Sequence, residues 1–327
     1  MMPANRERAG QNPGPNPGVW GLGMAALPFL AIATVYAFST SYSYFASYDD
    51  EGTMMITVRG YLDGRVLYDE VLSCYGPLYY FYECFVHSIA SLPLTNDAAR
   101  AVCIFDWLAA ASILAVLGGR MTRSVLMALF IFMQAVLHLT PLAREPGHPQ
   151  ELVLLLLTLS IMVAQMGLQR KWTPVLLGAI GAALVCTKIN AGAFFGFGLM
   201  LALVTQAPLM HSRRVWFWIL LALVGLLPVL LMRTHFAESS AQIYCGQVCI
   251  AVVAAGAIAY VLGGERQAGL VRFVQTAAGF AGLSALLVVV LLLRGTSLSA
   301  LVANLITTSG SMGALFIFPL KAPYCSW

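Results

Sequence analysis

Charged residues are scarce in this chain: Asp, Glu, Lys and Arg make up 10% of its 327 residues, 60% are hydrophobic, and the mean hydropathy is +0.81. An average soluble domain carries about 25% charged residues, so a water-soluble core is excluded and most of the chain is expected in lipid. Short segments of alternating hydrophobicity are lacking too. Runs such as 152–166, 217–231 and 281–293 are apolar all round, which excludes a β-barrel and leaves membrane helices. The seven cysteines include no CxxC and no Cys/His spacing of the zinc kind. Cys103 and Cys186 lie inside apolar runs, and Cys245 and Cys249 are one helical turn apart, as on a packed face. The net charge is only +4 and its basic residues sit in short loops, so nucleic acid is not an expected partner. No internal repeat is visible, which gives an inverted-repeat transporter no support. Residues 1–18, MMPANRERAGQNPGPNPG, have neither an apolar run nor a cleavage site. They read as a disordered cytoplasmic leader, and the apolar stretch behind them as a retained anchor.

What the chain does have is a series of apolar windows near 19–46, 77–93, 99–118, 124–142, 150–167, 173–187, 191–209, 215–232, 243–262, 270–293 and 298–319. If every window crossed, the basic loops would alternate between sides, against the rule that keeps Lys and Arg on the cytoplasmic face. Arg6 with Arg8, Arg120 with Arg123, Arg170 with Lys171, Arg213 with Arg214, and Arg266 with Arg272 reach one side only if the 77–93 window does not cross. Tyr79, Tyr80, Tyr82, Glu83 and His87 suit that window to an interfacial helix. The expected fold is therefore all-α: a polytopic transmembrane bundle of about 10 spans, as one domain over 19–320 with a short or truncated tail at 321–327. Segment 47–97 becomes the first outer loop. Within it, 50–62 reads as a surface helix with Met54, Met55, Val58 and Leu62 on one side, and Gly60, Gly64, Gly76 and Pro77 mark turns.

The face opposite the basic loops then collects the isolated charges. Asp49-Asp50-Glu51 follows the first apolar stretch; a solvated cluster or a helix cap is the plain reading, but its position at a membrane edge points to a water, metal or reacting group. Arg144-Glu145-Pro146-Gly147-His148-Pro149-Gln150-Glu151 forms a tight turn. The helix dipole accounts for Glu151 but not for Arg144, Glu145 and His148 beside it. Glu145, His148 and Glu151 are candidate ligands for a divalent cation, Mg or Mn, though they match no firm metal pattern. Thr187-Lys188-Ile189-Asn190-Ala191-Gly192 splits a long apolar stretch. Lys188 reads equally as a snorkelling anchor or as a phosphate-binding point charge beside exposed backbone N–H groups.

The order of these motifs resembles the GT-C membrane glycosyltransferases. The residues are Asp50-Glu51-Gly52, Gly64-Arg65-Val66-Leu67-Tyr68-Asp69, Tyr75-Gly76-Pro77-Leu78-Tyr79-Tyr80, Arg100, the 144–151 turn and the Lys188 segment. The nearest group is the bacterial one related to protein O-mannosyltransferases and lipid A aminoarabinose transferases, family 39-like. The likeness spans residues 20–210. It implies transfer of a sugar from a polyprenyl-phosphate donor to an acceptor at the outer face of a bacterial inner membrane, in construction of the cell envelope. It also implies surface helices in the first outer loop, and membrane lipid as a partner. Asp50, with Glu51 beside it, matches the catalytic acidic pair; Lys188, Arg144 and Arg100 match cations for the donor phosphate. The second acidic position falls on Glu145 or Glu151. The chemistry fits: an oxocarbenium-like transfer needs a proton taken from the acceptor and charge met on the leaving phosphate.

Two other readings stand beside this one. A transporter or lipid flippase could use the same charged vestibule, but its ionisable groups belong near mid-membrane. Only Asp106 lies that deep, as a partner for Arg100 or as a groove-lining polar group. The third reading is a truncated, non-catalytic relative.

Overall fold

Among the described residues of the computed structural model (18–43, 50–139, 142–143, 145–168, 170–205, 214–233, 236–262 and 270–304), every regular element is a helix. In chain order these are α1 (Gly18–Ser43), α2 (Asp50–Leu62), α3 (Pro77–Ile89), α4 (Asn96–Thr122), α5 (Val125–Leu139) and α6 (Gln150–Gln165). After them come α7 (Trp172–Val185), α8 (Ile189–Thr205), α9 (Arg214–Leu231), α10 (Ser239–Leu262), α11 (Leu270–Leu293) and α12 (Leu298–Val302). The leader, most of the 298–319 window and the 321–327 tail lie outside the described residues.

Local sequence explains the boundaries near the site. The Thr95 side chain caps α4 by accepting from Ala98 N at 3.3 Å, with Asp97 in the first turn, where the helix dipole favours an acid. Pro77 opens α3 directly after an extended Gly76, the position where a missing N–H costs nothing. Between α7 and α8 the chain breaks at 186–188, so Lys188 stands at a helix junction.

Three segments, Asn96–Thr122, Ala241–Ile258 and Leu270–Leu293, are long and apolar enough to cross a membrane. Five more apolar helices, α5 to α9, are shorter. Only 17% of the apolar windows in α10 and α11 is buried in protein, and Val261, Leu270 and Leu293 are almost fully exposed. Apolar surface of that extent is what a lipid-facing helix carries.

Helix α4 packs on α1, α5 and α6, and α7 packs on α6, α8 and most extensively on α11. The α7–α11 contact is backbone to backbone. A Cβ at Gly178 would stand 2.0 Å from Thr276 O, and one at Gly279 2.0 Å from Val175 O, so glycine at both positions is what permits the approach.

One end of the bundle gathers the first loop. Tyr42 Oη donates to Asp97 O (2.8 Å), Gly76 N to Thr187 O (3.0 Å), and Thr296 Oγ1 to Leu67 O (3.1 Å). These bonds tie together the end of α1, the start of α4 and the ends of α7 and α11. At the other end Gln165 Nε2 reaches Met121 Sδ (3.6 Å), near Arg120 and Arg123. Both flanks of α3 therefore lie at the first end, and its 13 residues span only about 20 Å against the ~30 Å of a bilayer core.

The surface helices differ from the sequence expectation in which way they face. In α2 the buried positions are Glu51, Val58, Gly60 and Tyr61, while Leu62 is exposed, because Tyr61 joins the cluster formed by Leu67, Tyr79, Tyr80 and Leu291. In α3 the polar face points inward: Tyr79, Tyr80, Glu83 and His87 are buried, and Phe85 and Ile89 are exposed. An interfacial helix lying on water would do the reverse. Here the inward polar groups find partners in the protein, and the apolar side is left to lipid.

Candidate functional site

At the polar end, the first turn of α2 meets the first turn of α4. Arg100 donates to Glu51 through Nε to Oε1 at 3.0 Å and Nη2 to Oε2 at 2.8 Å, and through Nη1 to Ser41 O. Both side chains are buried. Glu51, expected beside the catalytic Asp50, and Arg100, expected at the donor phosphate, are thus bound to each other in a clamp. Asp106 is not the partner of Arg100, because six residues of helix place the two about 120° apart around α4. Asp106 Oδ1 accepts instead from Tyr82 Oη at 2.5 Å.

Asp50 begins α2, one residue from the clamped Glu51. Its side chain lies outside the described atoms, as do residues Asp49 and Arg144.

The turn before α6 is held from two sides. Tyr79 Oη donates to Gly147 O (2.5 Å), and Gly147 N donates to Cys103 Sγ (2.8 Å). Gly147 has φ +75°, the left-handed region that glycine enters without strain. His148 is buried, and its Nε2 shares a 2.5 Å hydrogen bond with Tyr75 Oη. Burial, and next the charge of Lys188, lower the His148 pKa to about 3, so the imidazole is neutral throughout the physiological range. Gln150 Nε2 donates to Glu145 Oε2 at 3.3 Å.

Lys188 closes this side. Its ammonium has no hydrogen bond or ion pair among the described residues. Burial lowers its pKa from the usual value, opposed by the charges of Glu145 and Glu151 and by Cys74. Its backbone position is fixed, because Gly76 N and Leu78 N donate to Thr187 O and Cys186 O. A Cβ at Gly76 would lie 2.1 Å from Cys186 O, so only glycine admits that contact. The geometry thus places Lys188, Glu145, Glu151, His148 and Tyr75 around one corner. Arg233 is exposed in the α9–α10 turn, and His235 lies outside the described residues.

Glu151 itself is buried, and its carboxylate has only weak donors among the described residues, its own backbone N–H and the Cys103 thiol. Its electrostatic neighbours are Asp106, Glu83 and the Cys103 thiol. Glu83 was not singled out as a site residue from the sequence. It is buried on the inward face of α3, 3.6 Å from His87, and burial, reinforced by Asp106, raises its pKa to about 8. The sequence signal was an ionisable residue inside an apolar window. Even so, no group of three or more His, Cys, Asp or Glu among the described residues is arranged to hold a metal ion. Glu145, His148 and Glu151 are close along the chain without forming a ligand set.

A groove of about 720 Å³ lies between α6, α7 and α8 along Ser160, Gln165, Leu177 and Phe195. It is toward the end away from Lys188. The chain matches no protein-family model, no curated protein and no solved structure.

Proposed function

We propose that the chain is an integral membrane glycosyltransferase of GT-C type, with about 10 spans and its N-terminus in the cytoplasm of a bacterial inner membrane. It moves a sugar from a polyprenyl-phosphate donor to an acceptor at the outer face. The observation that carries this reading is Lys188: a half-buried cation with no partner among the described residues, at a helix junction, with Glu145, Glu151 and a neutral His148 nearby. A cation at a membrane edge that no described carboxylate grips in an ion pair is suited to an anionic ligand that arrives from the lipid. Lys188 meets the donor phosphate, and the polyprenyl tail lies along the helices.

Asp50 is the base toward the acceptor hydroxyl. The Glu51–Arg100 clamp positions it by fixing the turn on which it stands, and the donor-phosphate role falls to Lys188, with Arg144 on the same turn as Glu145. A divalent cation, Mg or Mn, would have to draw ligands from the donor phosphate or from residues beyond Glu145, His148 and Glu151.

The second reading, a transporter or flippase, is favoured by one observation: Asp106 is a buried acid within α4, with the buried Glu83 and Glu151 as its neighbours, and substrate- or proton-coupled carriers use such groups. Binding of polyprenyl phosphate to wild type and to Lys188→Gln separates the two. The glycosyltransferase reading expects at least a tenfold loss of binding in the variant. Unchanged binding removes its support.

A further inference from the structure

We propose that a cavity between α2, α3 and α11 is a second lipid site, separate from the Lys188 corner, which holds the phosphate of an anionic phospholipid against Arg294 and Tyr61. The cavity measures about 350 Å³ and is lined by Tyr61, Phe81, Phe85, Ile89, Val290 and Arg294, with Cys84 and Ser88 between them. That is the lower end of the range of ~300–1,000 Å³ for ligand pockets.

Three features define its occupant. The Arg294 guanidinium lies over the Tyr61 ring, 4.8 Å from its centre, and no carboxylate among the described residues pairs with it. Tyr61 is 2% exposed and its hydroxyl oxygen faces the Arg294 guanidinium, which can only donate, so the hydroxyl proton has no acceptor among the described residues. A buried O–H without an acceptor costs about 1–3 kcal/mol, and a phosphate oxygen between it and Arg294 would accept from both. The remaining wall is apolar and open: Phe85 is 62% and Ile89 69% exposed. A cation and a donor at the head, continuous with exposed apolar side chains, fit a phosphate carried on an acyl chain rather than a free anion.

The position agrees. Arg294 follows the last turn of α11, at the end where Thr296 bonds to the first loop, which is where lipid headgroups lie if α11 crosses the membrane. Neither Lys188 nor the 145–151 turn lines the cavity, so the inference does not depend on sugar transfer.

The test uses the whole chain in nanodiscs of phosphatidylcholine with a minor fraction of phosphatidylglycerol, with retained lipid counted by native mass spectrometry. Wild type is expected to retain one phosphatidylglycerol that millimolar sodium phosphate does not displace. Arg294→Gln should weaken retention about tenfold and Tyr61→Phe severalfold. Ile89→Glu sets a carboxylate on the exposed apolar wall without touching the buried core, and should abolish retention in a folded protein. Retention of phosphatidylglycerol by Arg294→Gln and Ile89→Glu at the wild-type level overturns the site. So does equal retention of uncharged diacylglycerol, or displacement by inorganic phosphate.

Discussion

Arg100 grips Glu51 with two parallel hydrogen bonds, 3.0 and 2.8 Å long, and that pair fixes the first turn of α2 against the first turn of α4. Removing one partner of a buried ion pair leaves the other charge uncompensated, at a cost of about 3–5 kcal/mol. Glu51→Gln and Arg100→Gln should each lower the melting temperature of the detergent-purified protein strongly. Because they break one interaction, the double variant should cost less than the sum of the two. Additive losses would mean that the pair is not a unit.

Gly76 is the second structural pivot. Its N–H and that of Leu78 bond to the Thr187 and Cys186 carbonyls just after α7, and a Cβ there would meet the Cys186 carbonyl at 2.1 Å. Gly76→Ala should separate the first loop from the Lys188 junction and forfeit both bonds, about 1–3 kcal/mol at ~0.5–1.5 each. Gly282→Ala is the control, since its Cβ would meet nothing within 4 Å. Thermal melting of the two variants checks this; equal melting contradicts the close approach.

Much of the frame was legible in the sequence, and the reasons are physical. Hydropathy marked the helices, and the break at Lys188 appeared as one charge splitting an apolar run. The packed-face reading of Cys245 and Cys249 fits their thiols, which donate to Pro228 O (3.5 Å) and Gly225 O (2.8 Å) of α9. Periodicity gave the amphipathicity of α3 but not its sense, because in lipid the polar side of a helix turns to protein. It gave Tyr79 and His148 as polar residues without saying that Tyr79 bonds to Gly147 and Tyr75 to His148. Those partners are 68 and 73 residues apart, and no local pattern encodes such pairings. The Glu51–Arg100 clamp was missed for the same reason: two charges at a membrane edge read as two site residues until their distance is known.

Stability should fall with rising pH through Glu83. Burial, reinforced by Asp106, raises its carboxyl from 4.5 to about 8. In the unfolded chain Glu83 loses its proton near pH 4.5, while the folded protein keeps it to about pH 8. The folded state therefore binds more protons in that window, and its stability is greatest below it and declines across it. Denaturation followed from pH 4.5 to 8 should show a steeper decline in wild type than in Glu83→Gln. Parallel curves would show that Glu83 does not carry the dependence.

The most direct test of the central claim is sugar transfer itself, in membranes supplied with polyprenyl-phosphate-linked sugars, comparing wild type with Asp50→Asn. The account predicts transfer by wild type, a loss of about 10²–10⁴-fold in the variant, and melting unchanged, since the clamp uses Glu51 and not Asp50. Equal transfer by both proteins would contradict the role of Asp50, and no transfer by wild type from any such donor would contradict the glycosyltransferase reading as a whole.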